Sequence, residues 1–299
     1  MSTRRDFLTA SAAAGAMGLV GERSARAAGP AQTRDKTWLT FAVNVEMTWT
    51  KLPFLDRIRN VAEAGFSHYE FWQWRPKDID ALDRLSKELG LQPTQFTASP
   101  KRFTEGITDP ARRDEFLADV KAAVEVAQKL GVKKLCVVAG EETTGFSRDE
   151  QTKAVIESLK AGAKVVEPAG ITLILEPLNI LVDHPRQLLV TSKQAADVLE
   201  AVGSPNVKML FDVYHQQISE GNLSGNIRKY KDLIGYFQIA DPPGRHEPGT
   251  GEINYAHVLR VIHDIGYRGA IGMEMNPKTD PMTGFEAVRK VDAEARERA

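Results

Sequence analysis

From residue 41 onward, the sequence alternates eight times between a short apolar run and a longer amphipathic stretch. The short runs are rich in Val, Ile, Leu and Phe, which is typical of strands buried on both faces. They cover residues 41–45, 68–72, 92–98, 134–139, 172–177, 208–213, 236–240 and 270–275. The longer stretches have apolar residues at helical spacing and cover residues 53–64, 76–89, 109–130, 148–169, 185–202, 222–233, 254–265 and 285–297. The pattern predicts eight repeats of a strand followed by a helix.

This order of elements is typical of parallel βαβ units, and eight units in about 260 residues match the size of a (β/α)8 barrel. A doubly wound sheet is the competing α/β fold. Its first strand commonly leads into a G-x-G-x-x-G turn, whereas residues 44–48 read Asn-Val-Glu-Met-Thr. No linker rich in Pro, Ser and Gly divides the chain. We therefore predict an α/β protein with a single TIM barrel domain over residues 28–299.

Residues 1–27 differ in composition from the rest of the chain. Arg4-Arg5 precedes an uncharged run over residues 9–20, and Ala25 and Ala27 form a small-x-small cleavage pattern. The uncharged run is too short to span about 30 Å of hydrocarbon, which counts against an uncleaved membrane anchor. We predict a twin-arginine signal peptide that contacts the twin-arginine export machinery and is removed near Ala27. The mature protein is then expected in the periplasm, without stable membrane insertion.

Charge and cysteine content exclude several classes of protein. The chain has 39 basic and 40 acidic side chains, and loss of the predicted signal removes four of the former and two of the latter, which leaves a net charge of −3. Since there is no basic excess to neutralise phosphates, we expect no nucleic-acid partner. The single cysteine, Cys136, cannot form a disulfide within the chain and lies in an apolar run, so we expect it to be buried.

Four consecutive predicted strands, the fifth to the eighth, each end near one side chain that offers an oxygen ligand. These residues are Glu176, Asp212, Gln238 and Glu274. The carboxyl ends of barrel strands meet at one mouth, where the active sites of such barrels lie. Three carboxylates that converge there would repel each other strongly unless a cation lies between them. Because the set offers only oxygen atoms, the pattern favours a hard divalent ion, Mg²⁺ or Mn²⁺, over zinc.

Each of these four residues also has an interpretation that needs no metal. Glu176 and Glu274 can form ion pairs with Arg or Lys, and Asp212 can cap a turn or helix after its strand. The amide of Gln238 can be satisfied by backbone groups at the barrel mouth. The residues alone leave both interpretations open.

Four further residues are placed to contact a substrate at the mouth. Glu70 lies near the end of the second predicted strand, and His215 follows Asp212 by three residues. Arg245 and Glu247 lie in a loop rich in Gly and Pro after the seventh strand. Their side chains can hydrogen-bond carboxylate, carbonyl or hydroxyl groups. We predict that these residues bind substrate, with orientation of a neighbouring ligand residue as the alternative role for Glu70.

Several segments resemble the hydroxypyruvate isomerases, a branch of the xylose-isomerase-like barrel superfamily. They are Phe-Asp-Val-Tyr-His-Gln-Gln at 211–217, Gln-Ile-Ala-Asp at 238–241, Arg-His-Glu-Pro-Gly at 245–249, Gly-Glu-Ile-Asn-Tyr at 251–255 and Gly-Met-Glu at 272–274. The resemblance covers residues 39–278 and implies a divalent metal held by the same four strand-end residues. Gln238 favours the hydroxypyruvate isomerase branch, because the epimerases resemble one another in carrying His there. Residues 176–179, Glu-Pro-Leu-Asn, are closer to the epimerase-like branch.

The strand-end residues and the resemblance together predict a metal-dependent isomerase of the aldose–ketose type. It is expected to act on hydroxypyruvate or a small sugar through an enediolate, with Glu176 and Glu274 as the acid/base pair. A ketose 3-epimerase and a sugar or inosose dehydratase would use the same metal site. A non-catalytic carbohydrate binder is the alternative outside enzymes. The six scattered histidines count against a nuclease of the related barrel group, and the sequence is compatible with a homo-oligomer.

Overall fold

The computed structural model describes residues 37–99 and 106–297. These residues belong to one compact unit that runs from Thr33 to Ala299. The predicted signal peptide, residues 1–27, lies outside the described residues, so it stays a prediction. In the described part of the chain, no helix combines the length and the apolar character that crossing a membrane requires.

The described residues contain nine strands that pair in parallel within one sheet. They are β1 (Thr40–Asn44), β2 (His68–Glu70), β3 (Gln92–Pro93), β4 (Gln95–Thr97), β5 (Lys134–Val138), β6 (Thr172–Glu176), β7 (Val207–Asp212), β8 (Ile234–Gln238) and β9 (Ala270–Met273). Their order across the sheet is β3-β2-β1-β9-β8-β7-β6-β5-β4. Since β3 and β4 are consecutive along the chain, the two edges of the sheet meet and the barrel is nearly closed. The predicted TIM barrel is confirmed, with its third strand divided in two.

Pro93 and Thr94 account for this division. Pro93 has no backbone N–H to donate to a neighbouring strand. The N–H of Thr94 instead donates to Tyr69 O at 2.8 Å. Beyond this division, Thr97 N of β4 donates to Trp72 O at 2.9 Å. A hydrogen bond therefore also joins β4 to the segment that follows β2, where the two edges of the sheet meet.

The described residues contain nine α-helices, eight between strands and one after the last strand. They are α1 (Phe54–Glu63), α2 (Ile79–Leu89), α3 (Arg113–Leu130), α4 (Arg148–Val166), α5 (Ser192–Val202), α6 (Val213–Ser219), α7 (Leu223–Lys229), α8 (Tyr255–Asp264) and α9 (Pro281–Glu297). The helix predicted over residues 185–202 begins only at Ser192, because Thr191 and Gln194 form a capping box there. Helix α6 is not among the predicted helices and begins directly after β7, with Asp212 as its N-cap.

Two groups of apolar side chains form the core. The larger group joins strands to helices and includes side chains from both. The smaller group consists of Cys136, Ile174, Leu210 and Tyr236, one each from β5, β6, β7 and β8. The hydroxyl of Tyr236 reaches Glu70 of β2, on the other side of the barrel, so this smaller group lies in the barrel interior. Cys136 is buried, as predicted.

Candidate active site

The four predicted ligand residues all lie at the carboxyl ends of strands. Glu176 ends β6, Asp212 ends β7, Gln238 ends β8, and Glu274 directly follows β9. Each lies an even number of residues after a side chain of the interior group. Glu176, Asp212 and Gln238 lie two residues after Ile174, Leu210 and Tyr236, respectively. Glu274 lies four residues after Ala270, which packs against that group. Because alternate residues of a strand share a face, all four side chains turn toward the inside of the mouth. All four are buried.

Glu176, Asp212 and His215 are spaced to hold a cation, since each offers one ligand atom within 4.8 Å of the other two. His215 Nε2 lies 3.6 Å from Asp212 Oδ2 and 3.9 Å from Glu176 Oε1. Asp212 Oδ1 accepts a hydrogen bond from Tyr214 N at 2.9 Å and thereby caps α6. The interpretation of Asp212 as a cap therefore holds for one oxygen atom, while the other faces the site.

Asn179, which is not among the predicted site residues, determines the hydrogen bonding of His215. Asn179 Nδ2 lies 2.7 Å from His215 Nδ1, and the backbone N–H of Asn179 donates to the same atom at 3.3 Å. The Oδ1 atom of Asn179 accepts two backbone N–H groups of its own loop, which fixes the amide orientation. Burial and the nearby Arg245 hold the pKa of His215 well below its usual range. The ring is therefore neutral with its proton on Nε2, and this N–H faces the carboxylates of Asp212 and Glu176.

Arg245 contacts two of the proposed ligand residues. Its Nη2 atom donates to Asp212 Oδ2 at 3.0 Å and to Glu274 Oε2 at 2.9 Å. The other carboxylate oxygen of Glu274 accepts a hydrogen bond from Trp72 Nε1 at 2.8 Å. Glu274 therefore forms an ion pair with Arg245, as in its interpretation without a metal, whereas a contact of Arg245 with substrate stays a prediction. The guanidinium also stacks over the Tyr214 ring at 4.8 Å.

The loop after β8 holds Arg245 in place through Asp241. The buried carboxylate of Asp241 accepts backbone N–H groups of Gly249 and Gly251 at 2.9 Å and of Ile253 at 3.1 Å. A Cβ atom at Gly251 would lie 2.0 Å from the carbonyl oxygen of Pro242, so the chain approaches itself there as only glycine allows. This carboxylate is the reason that a loop rich in Gly and Pro has a defined shape.

Glu70 and Gln238 contact each other at the base of the mouth. Gln238 Nε2 donates to Glu70 Oε1 at 2.8 Å. Within the described residues, Oε1 of Gln238 is buried and has no hydrogen-bond partner. Burial, together with the charge of Glu274, raises the pKa of Glu70 to about 7. Glu70 thus contacts Gln238, a proposed ligand residue. A contact of Glu70 with substrate stays a prediction.

Glu247 lies in the same loop but has a different partner. Its Oε2 atom accepts the backbone N–H of Lys278 at 2.8 Å, and the side chain is buried. This contact ties the loop after β8 to the loop after β9. The role of Glu247 in substrate binding stays a prediction.

The charges of the site suit a divalent cation. Burial, followed by the nearby Glu274 and Asp212, raises the pKa of Glu176 well above its usual range. Burial raises the pKa of Asp212 to about 7, although Arg245 acts in the opposite direction. When these three carboxyl groups are ionised, one guanidinium leaves two negative charges uncompensated. A divalent ion would compensate both, and the unpartnered oxygen of Gln238 adds a ligand of the type that hard ions prefer.

Comparisons with known proteins agree with this fold. The profile of the Xylose isomerase-like TIM barrel family matches residues 58–292. The hydroxypyruvate isomerase of Escherichia coli (strain K12) is 35% identical over 253 residues, which cover 83% of this chain and 97% of that protein. The 2-oxo-tetronate isomerase of Pectobacterium atrosepticum is 33% identical over 242 residues, covering 80% of this chain and 92% of that protein. The crystal structure of an AP endonuclease of family 2 from Brucella melitensis has a TM-score of 0.79 and 33% identity, over 83% of this chain and 96% of that one.

A nearly closed barrel of parallel strands with a buried acidic mouth defines a class of α/β-barrel enzyme, and the chain belongs to the xylose isomerase-like TIM barrel family. Within that family it is a homologue of the hydroxypyruvate isomerases, at 33–35% identity over most of its length, and it is an isomerase. The resemblance seen in the sequence is thereby confirmed.

Proposed function

We propose that this isomerase interconverts hydroxy-carbonyl compounds of the size of hydroxypyruvate or a small sugar, and that it requires Mg²⁺ or Mn²⁺. The observation that carries the proposal is the convergence of three buried carboxyl groups and one buried amide at the barrel mouth. The names of the relatives, hydroxypyruvate isomerase and 2-oxo-tetronate isomerase, support a small hydroxy-carbonyl acid as substrate.

Four oxygen-bearing side chains would hold the ion, namely Glu176, Asp212, Gln238 and Glu274. Carboxylate and amide oxygens suit Mg²⁺ and Mn²⁺. When bound, the ion supplies positive charge that polarises the substrate carbonyl and acidifies the neighbouring C–H bond.

Glu176 and Glu274 are the proposed acid/base pair. Glu274 has both carboxylate oxygens hydrogen-bonded, to Trp72 and to Arg245. Glu176 is held more weakly, with Cys136 Sγ at 3.6 Å from its Oε2, and its raised pKa makes its carboxylate a stronger base than an exposed glutamate. Glu176 takes the proton from the carbon that carries the hydroxyl group, the C–H electron pair forms the C=C bond of an enediolate, and the carbonyl π electrons move to the carbonyl oxygen. Glu274, in its protonated form, then gives its proton to the former carbonyl carbon as the C=C electron pair bonds to it. The hydroxyl proton passes to the former carbonyl oxygen, the other oxygen forms the new C=O bond, and return of one proton from Glu176 to Glu274 through solvent restores the pair.

His215 and Arg245 are the proposed substrate-binding residues beside this pair. His215 Nε2–H donates to a substrate oxygen, since Asn179 holds the other ring nitrogen as an acceptor. Arg245 has five N–H groups in a planar arrangement that suits a carboxylate. Its ion pairs with Asp212 and Glu274 support a role in binding the carboxylate of an acid at the same site.

Solvent deuterium exchange tests the proposal. The mature protein with Mn²⁺ is incubated with hydroxypyruvate in D₂O, and both label incorporation and isomer formation are followed by NMR. We expect label at carbon with the wild-type protein, and a loss of roughly 1,000-fold or more with Glu176→Gln or Glu274→Gln. The exposed Asp197→Asn serves as a matched control. Absence of both exchange and isomer formation across a panel of small ketoses and hydroxy acids would contradict the proposal.

The same experiment distinguishes the alternatives. A ketose 3-epimerase would form a product of unchanged carbonyl position, and a dehydratase would lose water. A carbohydrate binder would show ligand binding without exchange. Each product has a distinct NMR spectrum, so the outcome assigns the reaction.

We also propose that the protein is exported by the twin-arginine route and works in the periplasm. The support is the order of Arg4-Arg5, the uncharged run and the Ala25-x-Ala27 pattern. Replacement of both arginines by lysine should leave the uncleaved protein in the cytoplasmic fraction. Export of that variant at the wild-type level would contradict this proposal.

A further inference from the structure

One carboxylate inside the barrel collects hydrogen bonds from several strands. Glu70 is fully buried, and its Oε1 accepts from Asn44 Nδ2 at 2.9 Å and from Gln238 Nε2 at 2.8 Å. Its Oε2 accepts from Tyr236 OH at 2.8 Å and from Gln95 Nε2 at 3.2 Å. The donors belong to β1, β4 and β8, so this side chain of β2 ties together strands on different sides of the barrel.

Strand β9 leaves room for this carboxylate. A Cβ atom at Gly272 would lie 2.4 Å from Glu70 Oε2, closer than real contacts allow. Gly272 also pairs with Gln238 in the sheet. The glycine therefore lies where Glu70 and Gln238 meet, and a larger residue there would displace the carboxylate.

Glu70 determines which end of the Gln238 amide remains available. Besides the Gln238 amide, three donors face the two carboxylate oxygens of Glu70, so both oxygens act as acceptors. Only the NH₂ end of the amide can meet such a group. Oε1 of Gln238 is consequently left over, and within the described residues it is buried without a partner. A buried carbonyl oxygen without a partner is unfavourable unless a ligand completes it.

We infer that Glu70 is a positioning residue that holds the Gln238 amide in the one orientation that can bind a divalent cation. The inference rests on the proposed function, because it needs an ion at the strand ends. An amide that flips would present its NH₂ group to the ion, and an NH₂ group cannot act as a ligand. Hydrogen bonds of this kind to metal ligands commonly alter metal affinity by 10–100-fold when they are removed.

Mn²⁺ titration calorimetry of the mature protein, with no substrate present, tests the inference. In Glu70→Gln, the introduced amide can meet Gln238 through either end, so the orientation is no longer enforced. We expect the Mn²⁺ dissociation constant to rise by roughly 10–100-fold. Glu70→Asp keeps the charge but withdraws the carboxylate by one methylene group, and it should weaken binding as well. It provides a second measurement should Glu70→Gln not fold by circular dichroism.

A double variant separates positioning from a purely structural role. In Glu70→Gln/Gln238→Glu, the charge and the hydrogen bond are exchanged between the two residues, and the total charge is that of the wild type. The introduced carboxylate can accept from position 70 with one oxygen and bind the ion with the other. We expect the double variant to regain most of the affinity that Glu70→Gln loses. A structural role of Glu70 alone predicts no such recovery.

The matched control is Gln95→Met, which removes another amide donor from Glu70 but leaves the contact with Gln238. Its Mn²⁺ affinity should stay near that of the wild type. Wild-type affinity in folded Glu70→Gln or Glu70→Asp overturns the inference, and so does a folded double variant that recovers nothing. If the wild-type protein itself binds no Mn²⁺ or Mg²⁺, it is the proposed function that fails.

Discussion

Arg245 Nη2 donates to Glu274 Oε2 at 2.9 Å, between residues 29 positions apart in the sequence. The same nitrogen reaches Asp212 at 3.0 Å. One guanidinium therefore contacts two side chains proposed as metal ligands, and it reduces their mutual repulsion. Arg245 and a divalent ion act on the same carboxylates, so the stability of the protein and its affinity for metal should depend on each other.

Arg245→Gln should destabilise the metal-free protein by about 3 kcal/mol, because removing one partner leaves buried carboxylates uncompensated. Excess Mn²⁺ should restore most of this loss, since the ion supplies the missing charge. Urea unfolding in EDTA and in Mn²⁺ measures both effects. Lys193→Gln, which removes an exposed lysine paired with Asp197, is the control. A loss of equal size with and without Mn²⁺ would contradict the coupling.

The buried carboxyl groups predict how the stability of the metal-free protein depends on pH. Burial raises the pKa of Glu70 and that of Asp212 to about 7 each, against ordinary values of about 4. The folded protein therefore binds these protons more tightly than the unfolded chain. The resulting stabilisation is complete below about pH 4 and is lost as the pH rises through about 7.

In EDTA, the free energy of unfolding should thus fall by up to about 5 kcal/mol, or about 2.5 kcal/mol for each group, between about pH 5 and pH 8. Mn²⁺ should reduce the decrease, because the ion stabilises the ionised carboxylates. Urea titrations at several pH values measure the slope. Glu70→Gln lacks one of the carboxyl groups with a raised pKa and should show a smaller slope. A free energy of unfolding that rises with pH over this range in EDTA would contradict the raised pKa values of these carboxyl groups.

Asn179 is expected to determine the tautomer of His215. Asn179→Asp replaces the Nδ2 donor, 2.7 Å from His215 Nδ1, by an acceptor. The ring proton should then move to Nδ1, and Nε2 would no longer donate toward the site. Nitrogen-15 NMR of the ring reports the tautomer, and kcat/KM should fall by roughly 100-fold because a positioned proton donor is lost. Asn179→Ala removes the donor without supplying an acceptor and should have a smaller effect, and a wild-type tautomer in Asn179→Asp would refute this assignment.

Asp241 is expected to act on activity through the loop that carries Arg245. Asp241→Asn replaces an acceptor of three backbone N–H groups by a side chain that also donates. We expect a loss of about 2 kcal/mol of stability, since buried N–H groups lose their partner, together with a higher KM. Gly251→Ala tests the same loop, because its Cβ atom would collide with Pro242 O. At Gly145 a Cβ atom meets nothing within 4 Å and φ is +93°, so Gly145→Ala measures the effect of backbone strain without a collision.

Much of the barrel could be predicted because its signals are local. Apolar runs mark strands, and glycine or capping residues mark helix ends within a few residues. The predicted elements differ from the structure where two such local signals conflict. The division of the third strand depends on Pro93, and the late start of α5 depends on the capping box at Thr191. Helix α6 follows β7 without a loop, so the strand pattern concealed it.

The site was predicted in part for the same reason. A polar residue after an apolar strand is visible in the sequence, and Glu176, Asp212 and Gln238 do end their strands. Asn179 gave a weaker signal, as a polar residue three positions beyond Glu176. The hydrogen bond from Trp72 to Glu274 joins residues 202 positions apart, and no local pattern indicates it.

The sequence by itself determined the alternation of strands and helices, the polarity of the strand ends and the family. Only the tertiary structure decided which atoms are partners: Glu70 with Gln238 across 168 residues, Asn179 with His215 across 36, and Arg245 with Asp212 across 33. The physical reason is one of range. Periodicity reports the face on which a side chain lies, whereas a hydrogen bond depends on a separation of about 3 Å that is set only when distant strands close into a barrel.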